Sequence, residues 1–201
     1  YPHIKWCRYA DDGLVHCDSK AEAEDMLKIL DNRFRKCGLE LHPTKTKIVY
    51  CKDGVRRGRN EHTSFDFLGF SFRCREVQNP RTKAIFGGFN PAISKRSLKS
   101  IGEKLRRLKY RGRTDLEIED IAKVLNPIIQ GWLGYYGKYY RCALYAMCRL
   151  VNNSLIKWAR KKYKSLRYKS RRRASEFMEN IAKKSPGLFA HWRAGMVGAF
   201  V

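Results

Sequence analysis

The feature that most limits the fold of this chain is a pair of adjacent aspartates between two short β-type segments. The segments Ile4–Tyr9 and Gly13–Cys17 are apolar and partly alternate, as strands do. Between them, Ala10, Asp11 and Asp12 predict a tight Ala-Asp-Asp-Gly turn, and therefore a β-hairpin with both carboxylates at its tip. Adjacent carboxylates repel each other and gain from a cation, and Mg²⁺ prefers oxygen ligands of this kind. An Asp-Asp-Gly triplet is also common in solvated turns, so the triplet alone leaves both interpretations open.

Charge is distributed unevenly along the 201 residues, whose formal net charge is +24. Residues 1–90 hold 17 Lys and Arg against 12 Asp and Glu, whereas residues 91–201 hold 26 against 7. From Ile121 to Ser175 there are fourteen basic residues, interleaved with aromatic ones, and no acidic residue. This mixture predicts a nucleic-acid-binding surface, because cations bind phosphates and rings stack on bases. A basic membrane surface is disfavoured, because the cations are spread over several segments.

Cysteine usage and hydropathy narrow the class of protein further. Seven cysteines without a Cys-x-x-Cys pair argue against a disulfide scaffold or a zinc ribbon and favour reduced thiols. The chain has no segment as long as a transmembrane helix and no visible signal peptide. We therefore expect a cytoplasmic (bacterial) or organellar protein without a membrane partner. Because Tyr1 is not an initiator methionine, we also expect the chain to be part of a longer protein.

The first half of the chain predicts a mixture of strands and one helix. The helix begins after Ser19, which has capping-box spacing to a glutamate, and ends near Gly38. A strand is predicted at residues 45–50 and an exposed polar loop at 53–62. Residues 65–72 alternate aromatic and small side chains around a glycine and predict a strand or a tight hairpin.

Beyond Gly87-Gly88 and Asn90-Pro91 the composition changes and the pattern becomes helical. An apolar stripe from Leu98 to Leu108 predicts one helix, and a capping box of Thr114 with Glu117 predicts the start of another. Asn126-Pro127 predicts the start of a further helix, with proline at its first position. Two more helices are predicted, at 144–158 and 177–184. The run between them, residues 157–173, is basic enough to be partly exposed or disordered without RNA.

Four local patterns agree, in order, with one family. They are Arg8-Tyr9-Ala10-Asp11-Asp12, then Gly38-Leu39-Glu40-Leu41 with Lys45-Thr46, then Phe67-Leu68-Gly69-Phe70, and then Asn126–Trp132 with Tyr135-Tyr136. The first resembles the active-site hairpin of reverse-transcriptase palm domains, in the variant with a small alanine found in group II intron enzymes. The third resembles the hairpin that grips the primer end, and the fourth resembles the maturase-specific, or X/thumb, domain. By these motifs the chain is identified as a member of the group II intron-encoded reverse transcriptases, or intron maturases.

The resemblance implies an α+β fold in two parts. Residues 1–88 would form the C-terminal part of a palm, with antiparallel strands and a helix, and residues 89–201 an all-helical thumb/maturase domain. The implied functions are RNA-directed DNA polymerisation by two-metal nucleotidyl transfer with Mg²⁺, and binding of group II intron RNA for splicing and mobility. Further implied partners are an RNA template with a DNA primer, deoxynucleoside triphosphates, and upstream fingers and palm segments that carry a third metal-binding aspartate. Without that aspartate, the chain alone is expected not to extend a primer.

The same resemblance assigns roles to individual residues. The metal-binding and catalytic residues would be Asp11 and Asp12. The nucleotide- and primer-binding residues would be Tyr9, Ala10, Lys45, Phe67, Leu68, Gly69 and Phe70. The RNA-binding residues would be Lys95, Arg96, Lys99, Arg106, Arg107, Lys138, Arg141, Lys161, Lys162, Lys164, Arg167, Arg171, Arg172 and Arg173.

Structural interpretations of the same residues remain open. Lys45 can also be interpreted as a solvated strand lysine, and many of the basic residues as a solvated face. Trp132, Tyr135 and Tyr136 have the spacing of helix core residues. Two other functions also remain. One is an RNA-binding splicing cofactor without polymerase activity, which the intact aspartate pair disfavours. The other is a different bacterial retroelement or defence reverse transcriptase, which the segment 126–136 disfavours.

Overall fold

The fold is α+β, as the sequence predicts, and the computed structural model describes residues 2–52, 60–198 and 200. It contains two compact units, one formed by Tyr1–Phe67 and Phe72–Phe89 and the other by Leu68–Ser71 and Asn90–Val201. The predicted loop at 53–62 falls largely on residues 53–59, outside the described residues. Within the described ranges, the helices are too short or too polar to cross a bilayer.

The first unit begins with an antiparallel hairpin of two short strands, β1 (Trp6–Tyr9) and β2 (Asp12–Val15). Tyr9 pairs with Asp12, so the turn consists of Ala10 and Asp11 alone. The predicted Ala-Asp-Asp-Gly turn is therefore wrong in length, because Asp12 already belongs to β2. Ala10 adopts a left-handed φ of 49°, and its carbonyl accepts a 2.8 Å hydrogen bond from Arg8 Nε.

Helix α1 (Lys20–Lys36) follows, with both ends where the sequence predicts them. Ser19 Oγ accepts a hydrogen bond from the backbone N–H of Glu22, which satisfies one free donor of the first turn. At the other end Gly38 has a φ of 72°, and Leu39 N–H donates to the Phe34 carbonyl over 2.9 Å. This is the Schellman arrangement, which only a residue tolerant of positive φ allows.

The predicted strand at residues 45–50 is wrong. The structure assigns no strand there, and the segment makes one backbone hydrogen bond to the chain beyond the loop, from Tyr50 N–H to the His62 carbonyl. An alternating pattern describes the faces of a strand but does not provide a partner for its backbone groups. Among the described residues no neighbouring strand pairs with this segment.

A three-stranded sheet follows, in the order β3 (Ser64–Phe67), β4 (Phe70–Gln78) and β5 (Ile85–Ile93). The tight hairpin predicted around Gly69 is confirmed. Its two turn residues, Leu68 and Gly69, have φ values of 50° and 78°, which is the primed-turn geometry that matches strand twist. Strand β5 was not predicted, because its Gly-Gly and Asn-Pro pairs are typical of loops. The division between the two units falls inside it, between Phe89 and Asn90.

The second unit is helical and contains the core. Its helices are α2 (Lys95–Arg107), α3 (Ile118–Tyr136), α4 (Leu144–Lys162), α5 (Lys164–Arg167), α6 (Arg171–Lys184) and α7 (Ala190–Arg193). Helix α4 is central, because α2, α5 and α6 all pack against it. Its buried side chains include Met147, Val151, Leu155 and Trp158, none of which has exposed surface.

Three helix boundaries differ from the predictions. Helix α3 begins one turn later than the Thr114 box, at an N-cap of Glu117, whose N–H is accepted by the Asp120 carboxylate. Pro127 lies inside α3 and does not start a new helix, since burial of Leu125 and Ile129 on either side offsets the hydrogen bond that proline removes. Helix α6 begins at Arg171 instead of residue 177. The basic run 157–173 lies in α4, α5, α6 and the short connections between them, and most of its cations are exposed, as predicted.

The side chain of Asn126 has a role that the sequence does not reveal. Its amide nitrogen donates to the Leu188 carbonyl over 2.9 Å, and its amide oxygen accepts from Ala190 N–H over 2.8 Å. These two bonds fasten the segment that carries His191 and Trp192 to α3. Both of those residues are buried.

Candidate functional site

The two aspartates of the hairpin are exposed, and they are placed by the turn just described. Asp11 is the second residue of the turn and Asp12 is the first residue of β2. The left-handed backbone at Ala10 allows the chain to reverse within two residues, which keeps both carboxylates next to the tip. Tyr9 precedes the turn and is 63% exposed. The hairpin therefore presents two carboxylates, a small side chain and an open aromatic ring in four consecutive positions.

These residues fit Mg²⁺ in the type of donor they offer, since carboxylate oxygens are the ligands that hard divalent cations take. They provide two carboxylates. No group of three or more His, Cys, Asp or Glu side chains suited to a metal ion occurs in the part of the chain that the structure describes. A complete two-ion site needs further oxygen ligands beyond this pair.

Of the other predicted nucleotide- and primer-binding residues, the structure brings four together and leaves one apart. Lys45 is exposed in a turn, where its N–H donates to the His42 carbonyl. Phe67, Leu68, Gly69 and Phe70 are consecutive at the β3–β4 turn. Lys45 is solvated, as its structural interpretation predicts, but it lies in a turn and not in a strand.

The tip of the β3–β4 hairpin, Leu68–Ser71, belongs to the helical unit. The Gly69 carbonyl accepts hydrogen bonds from Ser94 N–H at 3.0 Å and from Ser97 Oγ at 2.9 Å, both at the start of α2. A Cβ on Gly69 would lie 2.9 Å from Ser97 Oγ and 3.2 Å from Tyr136 Oη. The space that the missing Cβ of Gly69 leaves open is therefore taken by side chains of α2 and α3.

Aromatic rings fix the same tip from the other side. Phe70 is buried, and its ring centroid lies 5.2 Å from Tyr135, 5.3 Å from Tyr136 and 5.6 Å from Tyr139. Tyr135 Oη also donates to the Leu68 carbonyl over 2.8 Å. Two of the three α3 aromatics in the predicted motif thus hold the hairpin tip. The third, Trp132, is half-buried with Lys104 Nζ 5.9 Å from its ring centroid, where it lines a cavity of about 120 Å³.

The basic residues of α2 occupy one exposed face of that helix. Lys95, Lys99 and Arg106 project within about 40° of one another around the axis, and Arg96 and Arg107 lie within about 120° of the first. All five are exposed, while Ile101 and Leu105 on the opposite face are buried. Charge and core therefore separate on α2. The polar face carries five exposed cations and one half-buried carboxylate, Glu103, so it keeps a net positive charge that can meet a polyanion.

The predicted RNA-binding residues of the later helices fall into two groups. Lys138, Arg141, Lys161, Lys164, Arg167, Arg171, Arg172 and Arg173 are exposed. Lys162 is different, because its side chain is only 12% exposed and its ammonium donates to the Leu116 carbonyl and pairs with Glu117. That ammonium stabilises the start of α3, so we remove Lys162 from the proposed RNA-binding set.

One cluster was missed by the sequence reasoning. Lys157 and Arg160 on α4, with Asn153 and Arg171, line a cavity of about 180 Å³ where α4 meets the first turn of α6. We call this cavity the α4–α6 pocket; its floor includes the buried Ile156. The sequence does contain a signal for this cluster, because residues 153, 157 and 160 are spaced to lie on one face of a helix. Counting basic residues along the chain does not distinguish this face from the other cations.

Two protein-family models match the chain. "Reverse transcriptase (RNA-dependent DNA polymerase)" matches residues 1–72, and "Group II intron, maturase-specific domain" matches residues 98–177. The first match covers the aspartate hairpin, α1 and the β3–β4 turn, and the second runs from α2 into α6. Comparisons with curated proteins and with solved structures gave no significant match.

Proposed function

Because the chain belongs to the group II intron reverse transcriptases and maturases, we propose that it serves both RNA-directed DNA synthesis and the binding of intron RNA for splicing. One observation carries this proposal. The exposed Tyr9-Ala10-Asp11-Asp12 sequence forms the tip of an antiparallel hairpin in the same chain as a maturase-type helical unit whose helix α2 carries five exposed cations on its polar face. The residue ranges 1–88 and 89–201 remain our proposed palm and maturase parts.

In the polymerase role, Asp11 and Asp12 would hold Mg²⁺. When bound, the ions supply activation of the primer 3′-hydroxyl and charge stabilisation of the leaving pyrophosphate. The small side chain of Ala10 leaves room beside the nascent base pair, and the exposed Tyr9 ring offers it an apolar border. The rigid Leu68–Ser71 tip would support the primer strand, since its position is fixed by the bonds to Ser94 and Ser97.

In the maturase role, the exposed cations of the helical unit would bind the sugar-phosphate backbone of folded intron RNA. An RNA duplex is recognised mainly through its shape and its backbone, which suits cations spread over several helices. The same surface would follow a template–primer duplex. Because these contacts are electrostatic, we expect the affinity to fall as a power of salt concentration.

Metal binding by the hairpin can be tested on the chain itself. Mn²⁺, a paramagnetic substitute for Mg²⁺, should broaden the amide NMR signals of residues 9–13 selectively. Asp11→Asn should remove that broadening, whereas Asp25→Asn on α1 is a matched control, since Asp25 is exposed and pairs with Lys28. Equal broadening in wild type and Asp11→Asn would contradict the assignment.

The two activities can be separated by assay. The chain should bind a group II intron transcript but should not extend a DNA primer with Mg²⁺ and four deoxynucleotides, because its described residues provide no group of three or more metal ligands. In a polymerase-competent protein that carries this hairpin, Asp11→Ala should abolish DNA synthesis and leave splicing assistance largely intact. Robust extension by this chain alone, or equal loss of both activities in a folded Asp11→Ala protein, would refute the division of roles.

A further inference from the structure

The α4–α6 pocket collects cations that the protein does not neutralise. It is lined by Lys157, Arg160 and Arg171 together with Asn153, and by no carboxylate. In the described part of the chain neither Lys157 nor Arg160 forms an ion pair, and Arg160 Nε is buried without a hydrogen-bond partner. A buried guanidinium nitrogen left unpaired costs free energy, so this arrangement gains from an acceptor that enters the cavity.

The start of α6 adds to the positive charge. Its first three residues, Arg171 to Arg173, are all arginine, and its first turn contains no acidic residue. A helix N-terminus carries the positive end of the helix dipole, where cations are unfavourable and anions favourable. Arg172 is paired with Glu176, and Arg171 Nη2 donates to Asn153 Oδ1 over 2.8 Å, which turns its guanidinium toward the pocket. The sequence here opposes helix stability in a way that a bound anion would relieve.

We propose that the α4–α6 pocket binds one backbone phosphate of the RNA, so that it is a discrete contact within the otherwise diffuse basic surface. This rests on the proposed RNA-binding function and adds to it a single site. Two guanidinium groups and one ammonium around a cavity match a phosphate group in charge and donor geometry. The cavity, about 180 Å³, exceeds several times the roughly 30 Å³ share of one water, so a phosphate can enter with ordered water.

RNA is favoured over a free anion by what surrounds the pocket. Exposed cations lie nearby on α4, α5 and α6, namely Lys161, Lys164, Arg167 and Arg173, and no acidic residue occurs between Ile121 and Ser175. A polyanion that places one phosphate in the pocket can therefore continue across cations on either side. A small anion would use the pocket and leave those neighbours unoccupied.

The sharpest test places a carboxylate in the pocket without changing its shape. Asn153→Asp would pair with Arg171 and repel a phosphate, while Asn180→Asp makes the same chemical change at an exposed position on the opposite face of α6. We expect Asn153→Asp in the 201-residue chain to weaken binding of a group II intron transcript about tenfold or more and to lower the salt slope by about 0.7–0.9. Asn180→Asp should change the affinity by less than about twofold.

Equal effects of the two aspartates would overturn the pocket while leaving the proposed RNA binding intact. Absence of transcript binding by the unchanged chain would overturn the proposed function and the pocket with it. Arg160→Gln and Lys157→Gln provide a second route, since Lys157 is exposed and its replacement does not disturb the core. Both should weaken RNA binding more than Lys169→Gln, an exposed lysine in the turn between α5 and α6.

Inorganic phosphate serves as a probe of the pocket independent of RNA. At constant ionic strength, phosphate in place of chloride should raise the melting temperature of the chain, and Asn153→Asp should remove that increase. Loss of the phosphate effect together with an unchanged RNA affinity would show that the pocket takes a free anion only, and would overturn the assignment to RNA.

Discussion

Two tryptophans show how differently the two compact units are built. Trp158 in the helical unit has no exposed surface, and its indole N–H donates to the Arg113 carbonyl over 3.0 Å. Trp6, on β1 of the first unit, is 70% exposed. The contrast is general. The helical unit has a continuous core, whereas among the described residues of the first unit Met26 is the one buried apolar side chain.

The difference explains which unit can hold precise geometry by itself. The helical unit buries large side chains from six helices, so its surface cations are mounted on a rigid frame. In the first unit, the β1–β2 hairpin and α1 are held mainly by local interactions, namely a two-residue turn, an N-cap and a Schellman C-cap. These are worth about 1 kcal/mol each. The carboxylates of Asp11 and Asp12 are thus carried on a less stable support than the proposed RNA-binding surface.

Replacing each tryptophan by alanine should give the largest contrast. Trp158→Ala removes a fully buried side chain and leaves its partner carbonyl unsatisfied, so we expect a loss of about 3–5 kcal/mol in the free energy of unfolding. Trp6→Ala should change it by no more than about 0.5 kcal/mol. Urea unfolding followed by far-ultraviolet circular dichroism measures both. Comparable losses would mean that Trp6 is buried in solution and that the comparison of the units is wrong.

Acid should destabilise the helical unit first, through His191. Burial lowers the pKa of His191 to about 3, and its Nε2 contacts Asn152 Oδ1 at 2.6 Å. The unfolded chain takes up a proton near pH 6.5 and the folded chain does not, so stability is complete above that pH and falls below it. The loss should be up to about 1.4 kcal/mol for each pH unit between 6.5 and 4.5.

His191→Gln replaces the imidazole N–H by an amide N–H donor and cannot titrate, so its stability should be nearly independent of pH over the same range. The window above pH 4.5 avoids Asp115 and Asp120, whose pKa values are lowered from 3.8 by Arg113 and Lys123 respectively. A pH series of urea unfolding curves for the two proteins is the measurement. An identical pH dependence in both would assign the acid sensitivity to other groups.

Substitution of two glycines with positive φ distinguishes the cost of backbone strain from the cost of a packing clash. Gly38 in the first unit has open space where a Cβ would be, whereas a Cβ on Gly69 would meet Ser97 and Tyr136. Gly38→Ala should therefore cost only the left-handed strain, about 1 kcal/mol, and Gly69→Ala about 2–3 kcal/mol. Thermal melting compares them. Equal costs would show that the α2 and α3 side chains move aside easily, and that the hairpin tip is not rigidly held.

In each unit some elements could be predicted from the sequence and others could not. Helices α2 and α4 were predicted because apolar side chains at helical spacing indicate a buried helix face, and this holds for any element that packs against that face. The segment 45–50 and the course of α3 through Pro127 were not, because each depends on tertiary partners: a pairing strand in the first case and the packing of Leu125 and Ile129 in the second. Local rules succeeded at α1 because both of its caps are formed by nearby residues.

The candidate sites divide in the same way. The aspartate pair could be found from sequence because its chemistry lies in consecutive residues. The α4–α6 pocket could not, because Lys157 and Arg160 differ from the other cations only in what α6 brings beside them. Lys162 was misjudged for the same reason, since its partner Glu117 is 45 positions away. The spacing of residues in one helix shows which side chains share a face. Whether that face is exposed to solvent or covered depends on how other elements of the fold pack against it.

The smallest effects should come from the two serine N-caps, and they test whether the units respond separately. Ser19 Oγ caps exposed α1, whereas Ser94 Oγ caps α2 from a buried position and also donates to Ser97 Oγ. Each Ser→Ala change should lower the free energy of unfolding by about 1 kcal/mol, with the larger value at Ser94, where the loss leaves polar groups unpaired and out of reach of water.

Hydrogen exchange shows which helices each substitution destabilises. Ser19→Ala should accelerate amide exchange in α1 and leave α4 unchanged, because α1 has no part in the core around Trp158. Ser94→Ala should accelerate exchange in both α2 and α4, since those helices pack together. If Ser19→Ala accelerates α4 as strongly as α1, the chain unfolds as one cooperative body, and the aspartate hairpin is as firmly supported as the basic surface.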